Sequence, residues 1–239
     1  MRKSFTLLEI VTVLIVAGIL ATAGIAGYRQ ALDNARQKVC GANLQALEAA
    51  VEIYALENDV LPATLTQLSP EQVKKAYAKV INNRDLVTRL CYAFVRMNIP
   101  RFAYAAFLSE DNLGRYGPHA EIFRCPADRD GGVSYGINSG FAGQPLPSAA
   151  VPGVSFVIVA DCENSVFSSE GELEHRHIKN FGATKLALAV STEGDIQEST
   201  QGHSQSGGGG TNTTGMKVCF TDPCSCWPYL PWCRYQRQP

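Results

Sequence analysis

The N-terminal end of the chain carries its strongest hydrophobic pattern. Residues 5–28 are apolar or small, apart from scattered threonines and a single charged residue, Glu9. At about 1.5 Å per residue the stretch would measure about 36 Å as an α-helix, enough to cross a hydrocarbon core of about 30 Å. A carboxylate without a partner is costly in a bilayer. The pattern therefore predicts a membrane-spanning helix in which Glu9 needs a partner.

Two ordinary explanations each leave part of this stretch unexplained. A secretory signal peptide has an apolar core of about 7–15 residues followed by a small-residue cleavage site, whereas this run is longer and contains an acid near its start. A plain membrane anchor, with Arg2 and Lys3 on the cytoplasmic side, accounts for everything except Glu9.

The helical pattern continues beyond the apolar run. Tyr28 and Arg29 provide the ring and the cation that are typical of a membrane interface. Apolar residues then recur at helical spacing on one face: Leu44, Leu47, Val51 and Tyr54. We predict one helix from residue 5 to about 57, ended by Asn58-Asp59 and Leu61-Pro62, whose second half packs this face on a globular domain.

Shorter elements follow. Ser69, Pro70 and Gln72 form the pattern of a capped helix start, and helical character extends to about Met97. Residues 100–118 carry no clear pattern. Val154–Ala160 is β-branched and nearly all apolar, and Lys185–Ser191 is largely apolar; both are predicted strands. The order of elements predicts an α+β fold, in which a long N-terminal helix packs on a small antiparallel sheet.

Composition limits the choice of partners. The formal net charge is −1 over 239 residues, and no basic patch is apparent, which argues against a nucleic-acid partner. The length suits one domain or two small ones. Eight cysteines make disulfides plausible if most of the chain lies outside the cytoplasm.

The first residues resemble a known processing site. Lys3-Ser4-Phe5-Thr6-Leu7-Leu8-Glu9 is similar to the site of type IV prepilins and of type II secretion pseudopilins. In that family a membrane peptidase removes a short basic leader before a Phe, which is then N-methylated, and the fifth residue after the cut is Glu. The resemblance implies a cut between Ser4 and Phe5, methylation of Phe5, and pairing of Glu9 with the new amine of a neighbouring subunit. Ser4 stands where the family prefers Gly.

A second resemblance covers residues 122–196. A pseudopilin subfamily of environmental bacteria has a Cys-Pro segment, a Ser-Tyr-Gly-x-Asn segment, an apolar strand ending in Asp, and an Arg-His pair. The matching residues here are Cys125-Pro126, Ser134–Asn138, Val157–Asp161 and Arg176-His177. Glu193-Gly194-Asp195 departs from the Asp-Gly-His turn of that subfamily.

Together these resemblances imply a pilin-like organisation. The expected segments are a leader (1–4), a transmembrane and assembly helix (5–28), its amphipathic continuation (29–58), an α+β head (59–200), a Gly/Ser linker (201–215) and a Cys/Trp-rich tail (216–239). The expected partners are other pilin or pseudopilin subunits, the prepilin peptidase and the bacterial inner membrane. The N-terminus would be cytoplasmic and the head periplasmic, or extracellular in a filament.

The tail contains four cysteines that allow two interpretations: Cys219, Cys224, Cys226 and Cys233. Their spacing does not match the usual paired zinc knuckles, and two disulfides suit a tail too small for a core of its own. Disulfides are therefore favoured over zinc, with the connectivity open. Some of the body cysteines, Cys40, Cys91, Cys125 and Cys162, could also pair.

The remaining polar candidates lie in the head. Asp161, His175 and His177 could form a metal or acid–base site, but a polar loop over residues 168–180 with surface histidines is the preferred interpretation. Candidates for calcium ligands are Asp161, Glu163, Glu193 and Asp195. No other metal or cofactor is predicted.

The sequence thus predicts a structural subunit of a type IV pilus or a type II secretion filament, and not an enzyme. One alternative is an uncleaved membrane-anchored binding module. Another is a membrane-tethered metalloenzyme that uses the histidine-containing loop.

Overall fold

The chain begins with one continuous helix, α1, which spans Leu7–Asn58. The computed structural model describes residues 6–81, 84–98, 113–128, 134–145, 154–179, 184–191, 196–200, 210–211 and 217–219. Thr6 caps the start of α1, and Asp59 ends it in the left-handed conformation with φ of 60°. The predicted single long helix is confirmed over Leu7–Asn58, and Phe5, where the prediction begins, lies outside the described residues.

The two halves of α1 have opposite surroundings. Every described side chain from Thr6 to Arg29 is exposed, whereas nearly all those from Val39 to Val51 are buried. The prediction that the second half of α1 buries only one face is therefore wrong. Elements pack around this half of the helix, and its small residues, such as Ala42, Ala46 and Ala50, let them approach closely.

Two shorter helices pack on α1. They are α2 (Pro70–Val80) and α3 (Leu86–Asn98). The predicted cap of α2 is confirmed, since Ser69 Oγ accepts a hydrogen bond from the Gln72 amide and Gln72 Oε1 accepts one from the Ser69 amide at 2.7 Å. Each bond satisfies a backbone donor that the helix itself leaves unpaired.

A 3-10 segment, Leu113–Phe123, packs on α1 and α2. It bends at Gly117, whose φ of 54° suits glycine. A turn after it contains Cys125, which is fully buried.

Eight strands follow within the described residues: β1 (Tyr135–Asn138), β2 (Val154–Asp161), β3 (Val166–Phe167), β4 (His177–Lys179), β5 (Thr184–Ser191), β6 (Ile196–Thr200), β7 (Gly210–Thr211) and β8 (Lys217–Cys219). The order is β3-β1-β2-β5-β4, with β6 on β5 and β8 on β2. Both predicted strands correspond to β2 and β5. The α+β class is confirmed, although the pairs β1–β3 and β2–β8 are parallel in an otherwise antiparallel sheet.

The register along β5 positions the ends of two other strands. Ala160 of β2 pairs with Ala189, and His177 of β4 pairs with Leu186. Because β6 pairs with residues 186–190, β2 and β4 must share the opposite edge of β5. The end of β2 therefore lies next to the start of β4.

The main core lies between α1 and the sheet. Alternate residues of β5 face opposite sides: Leu188 belongs to the core around α1, whereas Ala187 and Ala189 belong to a smaller cluster with Phe167 and Leu173. The sheet is therefore covered by apolar side chains on both faces.

Part of the predicted linker and tail is ordered. Gly210–Thr211 pairs with β8, which pairs in turn with the first residues of β2. The composition of residues 201–215 indicated a flexible linker, but backbone pairing places these two residues in a strand. The expected leader, Met1–Ser4, lies outside the described residues.

Candidate functional site

The start of α1 holds Glu9 in a local hydrogen-bonding pattern. Glu9 Oε2 accepts hydrogen bonds of 2.9 Å from both the amide and the hydroxyl of Thr6, and Thr6 Oγ1 accepts one of 3.3 Å from the Glu9 amide. This is a capping box. Sequence reasoning did not identify this intramolecular partner of Glu9. Ser4 and Phe5, the predicted processing residues, lie outside the described residues.

The following apolar surface has no cover within the subunit. Leu7 is 82% exposed and Leu20 67%. Among the described residues, α1 is the one helix long and apolar enough to cross a membrane, and none of its most apolar stretch is buried against the head. This half of α1 fits a membrane anchor.

A second site lies deep in the head. Donor atoms of Cys40, Cys125, Asp161 and His177 all lie within 4.8 Å of one another, and all four residues are buried. Such a set of sulfur, nitrogen and carboxylate donors could hold a metal ion.

Each of the four residues comes from a different element. Cys40 lies in the buried half of α1, Cys125 in the turn after the 3-10 segment, Asp161 at the end of β2, and His177 at the start of β4. The pairing of β2 and β4 with one edge of β5 brings Asp161 and His177 together.

His177 Nε2 is at the centre of the contacts. It lies 3.3 Å from Cys125 Sγ and 3.4 Å from Asp161 Oδ2. The Tyr135 hydroxyl donates a hydrogen bond to Cys40 Sγ at 3.2 Å. Asp161 Oδ2 is buried and has no hydrogen-bond partner among the described residues.

Arg176 provides the positive charge beside the cluster. Its Nη1 binds Asp161 Oδ1 and donates to the Ser134 carbonyl at 3.2 Å. Its Nη2 lies 3.9 Å from Asp128 Oδ2, which accepts a 2.6 Å hydrogen bond from Ser134 Oγ. Two carboxylates therefore share one largely buried guanidinium.

Burial determines the titration of the thiols. It raises the pKa of Cys40 and raises that of Cys125 well above its usual value, and the Asp161 carboxylate adds to both shifts. Burial also lowers the pKa of His177, but its contacts with Cys125 and Asp161 outweigh this effect and raise that pKa to about 10.

Asn43 holds the Cys125 turn against α1. Its Nδ2 donates to the carbonyls of Glu121 and Arg124 at 3.2 and 3.1 Å, and its Oδ1 accepts a hydrogen bond from the Tyr92 hydroxyl. Asn43 is one helical turn beyond Cys40. The same stretch of α1 thus supplies one donor of the cluster and fixes the segment that supplies another.

The structure corrects the interpretation of the histidine-containing segment. His177 is 2% exposed and lies in β4, so it is not a surface residue of a polar loop. The flanking polar residues suggested a loop, but pairing with β5 buries the side chain. His175 is half-buried, and its Nε2 has no partner among the described residues.

The calcium candidates are not gathered in the described part of the chain. Asp161 is fully buried beside sulfur and nitrogen donors, which calcium does not favour, whereas Glu163 is exposed. Glu193 and Asp195 lie outside the described residues.

The body cysteines are all free thiols: Cys40, Cys91, Cys125 and Cys162. In the tail, the backbone of Cys219 lies in β8, while Cys224, Cys226 and Cys233 lie outside the described residues. The predicted tail disulfides stay a prediction.

The site residues that sequence reasoning missed are Cys40 and Cys125. The sequence did contain a signal, because three segments of the resemblance over residues 122–196 each supply one residue to the cluster. These segments are Cys125-Pro126, Val157–Asp161 and Arg176-His177. Cys40 had no such signal, because it lies in a helical stretch whose burial depends on elements far along the chain.

Comparisons with known proteins point to secretion pseudopilins. Type II secretion system core protein G of Klebsiella michiganensis is 41% identical over 64 residues, and its counterpart in Pseudomonas aeruginosa is 33% identical over 63 residues. Each match covers 26% of this chain and 44% of the relative, so the chain spans less than half the length of the curated relatives it matches. No family model and no solved structure matches. The two relatives confirm the resemblance to pseudopilins that residues 3–9 indicate.

Proposed function

We propose that this protein is a pseudopilin-like structural subunit that is cut between Ser4 and Phe5, methylated at Phe5, and assembled through α1 into a type II secretion filament or a type IV pilus. The observation that carries the proposal is the exposed apolar half of α1. Leu8, Leu14 and Ile19 are each more than half exposed, and burying such side chains is worth about 1.5–3 kcal/mol each. A bilayer covers this surface before assembly, and the helices of neighbouring subunits cover it in a filament.

Glu9 has a role in both states. In the single subunit its carboxylate accepts two hydrogen bonds from Thr6. In a filament the amine of Phe5 from a neighbour offers a full positive charge, which compensates a buried carboxylate better than neutral donors do. Assembly would then exchange a local cap for an ion pair between subunits and so select one axial position.

The membrane placement follows from the same helix. Arg2 and Lys3 precede the apolar half of α1, so the positive-inside rule places the N-terminus in the cytoplasm. The head would then lie in the periplasm, or outside the cell as part of a filament. The expected partners are other pilin or pseudopilin subunits, the prepilin peptidase and the inner membrane.

One observation favours the alternative, an uncleaved membrane-anchored binding module. A groove of about 620 Å³ lies between α1, α3 and β6, with Lys38, Arg84 and Glu198 among its lining residues. Its volume is in the range of small-molecule sites.

The mass of the intact protein separates the two functions. Protein extracted from its native membrane should lack Met1–Ser4 and carry one added methyl group. A Phe5→Asp variant, in which the residue after the cut is charged, should keep the leader and serves as the unprocessed reference. An unaltered chain that retains Met1–Ser4 would reject the pseudopilin proposal and support the binding module.

A further inference from the structure

We propose that Cys40, Cys125, Asp161 and His177 bind one structural zinc ion in the core of the head. These residues provide two sulfurs, one imidazole nitrogen and one carboxylate oxygen, and all four are buried. Zinc is commonly held by such donors in tetrahedral geometry. The site is separate from the exposed apolar half of α1 and from the tail cysteines, and it does not rest on the proposed function.

The separations of the donor atoms fit a tetrahedral ion. With zinc about 2.3 Å from sulfur and about 2.0–2.2 Å from nitrogen and oxygen, ligand atoms lie about 3.3–3.8 Å apart. Cys125 Sγ and His177 Nε2 are 3.3 Å apart, and His177 Nε2 and Asp161 Oδ2 are 3.4 Å apart. The whole set lies within 4.8 Å, so small side-chain movements complete the site.

The Asp161 oxygen that accepts no hydrogen bond points to a cation. Asp161 is fully buried, and Oδ2 accepts no hydrogen bond within the described residues. A buried acceptor without a partner costs about 1–3 kcal/mol, and more if it is charged. A disulfide between Cys40 and Cys125 would leave this oxygen with only the His177 ring nitrogen 3.4 Å away and no hydrogen bond, whereas a zinc ion would bind it directly.

The charges of the ligands, the ion and Arg176 balance one another. When zinc binds, the two thiols and the His177 imidazolium each release one proton to solvent, so that His177 ligates through the neutral Nε2, with no change in oxidation state. Two thiolates and one carboxylate around a divalent ion leave one negative charge, and Arg176, bound to Asp161 Oδ1, offsets it. The Tyr135 hydroxyl, which donates to Cys40 Sγ at 3.2 Å, orients that ligand as outer groups of metal sites do.

The arrangement indicates a structural and not a catalytic metal. The chain supplies all four ligands and leaves no position for substrate or water, as in closed zinc sites. The ligands come from α1, the Cys125 turn, β2 and β4. The ion would therefore join the anchor helix to the sheet.

The test uses the full chain in detergent under reducing conditions, with the tail cysteines replaced (Cys219→Ser, Cys224→Ser, Cys226→Ser, Cys233→Ser) so that any bound metal belongs to the head. Elemental analysis should give about one zinc per chain. Cys125→Ser and His177→Ala should each remove most of it. The matched control is Cys91→Ser, which alters a half-buried free thiol outside the cluster and should keep the zinc.

Two further measurements distinguish loss of the metal site from a failure of the variants to fold. Cobalt(II) added to the chain with its four ligands intact should give a thiolate-to-metal charge-transfer band and intense tetrahedral bands. Tyr135→Phe removes only a hydroxyl and should lower zinc affinity about tenfold.

Three results would overturn the proposal. They are the absence of both zinc and the cobalt spectrum in the chain with intact ligands, a Cys40–Cys125 disulfide found by peptide mass analysis of the natively isolated protein, and zinc retained in folded Cys125→Ser and His177→Ala variants.

Discussion

Asp161 and His177 face each other with Oδ2 and Nε2 3.4 Å apart, because β2 ends where β4 begins along one edge of β5. The same register places Arg176, the residue before β4, against Asp161 Oδ1. One arrangement of three strands thus positions an acid, an imidazole and a guanidinium in the core. Its energetic consequences can be tested one residue at a time.

Removing the charge of Arg176 should destabilise the head strongly. Arg176→Met leaves Asp161 and Asp128 without their shared cation, and breaking a buried pair in this way costs about 3–5 kcal/mol. Urea unfolding of the full chain in detergent, followed by circular dichroism, measures the loss.

The control is Lys75→Met. Lys75 Nζ lies 3.7 Å from Glu57, but its side chain is 61% exposed, so this pair should contribute less than about 1 kcal/mol. Equal effects of the two substitutions would contradict the role assigned to Arg176.

Two substitutions of Glu9 separate its charge from its capping role. Glu9→Gln keeps the hydrogen bonds of a capping box but removes the charge, whereas Glu9→Ala removes both. If Glu9 pairs with a neighbour's amine, both variants should insert into the membrane, yet neither should enter filaments at more than about a tenth of the normal level.

Crosslinking between subunits in native membranes provides the measurement. Normal assembly of Glu9→Gln together with failure of Glu9→Ala would show that the local cap, and not the charge, is required.

Glu48 should make the head less stable as the pH rises. Burial raises its pKa from 4.5 to about 8, and the nearby carboxylate of Glu52 adds to the shift. Between these values the folded state keeps a proton that the unfolded state has lost, so stability falls with rising pH in this window. Glu48→Gln should remove this loss and stabilise the chain at pH 8 by about 1–3 kcal/mol, with little effect at pH 4.

Thermal unfolding at the two pH values tests this expectation. Glu71→Gln, an exposed change in the first turn of α2, is the control and should leave the pH dependence as it is in the unaltered chain. A Glu48→Gln chain with the same pH dependence as the unaltered chain would refute the assignment.

Gly136 and Gly41 should respond in opposite directions to alanine. A Cβ at Gly136 would collide with the Asn164 carbonyl and the Cys162 sulfur, whereas one at Gly41 would meet Ile196 at an ordinary 3.7 Å. Gly136→Ala should therefore cost about 1–3 kcal/mol, and Gly41→Ala, inside a helix, should gain about 0.5–1 kcal/mol. Urea midpoints measure both, and a shift in the same direction would contradict this packing.

Elements with local signals could be predicted from the sequence. The apolar run and helical spacing indicated α1, the Ser69 and Gln72 cap indicated α2, and short apolar runs, β-branched in the case of β2, indicated β2 and β5. Each signal lies within a few residues of the element it specifies, so no tertiary information was needed.

The buried cluster could not be predicted in the same way. Its members are far apart along the chain, and only the pairing of β2 and β4 with β5 places Asp161 beside His177. The polar neighbours of His177 favoured a surface loop, because the local sequence does not reveal which edge of β5 the segment joins. The burial of Cys40 and its neighbours in α1 likewise depends on the sheet and on α3, through Tyr135 and Tyr92.

The Ser-Tyr-Gly-x-Asn segment, residues 134–138, has a physical explanation in the structure. Ser134 Oγ binds Asp128, the Tyr135 hydroxyl binds Cys40, Gly136 has no room for a side chain, and Asn138 Nδ2 donates to the Val157 carbonyl at 3.0 Å. Each position supports the cluster or the strand next to it.

The continuity of α1 has a mechanical consequence. Because no hinge separates the exposed half from the buried half, a pull on the anchor is applied directly to the side chains around Leu44 and Leu47, which are fully enclosed. A close-packed interior is stiff and transmits strain. The head should therefore move as one rigid body with its anchor, and tearing the two apart would require rupture of the core and not the extension of a loop.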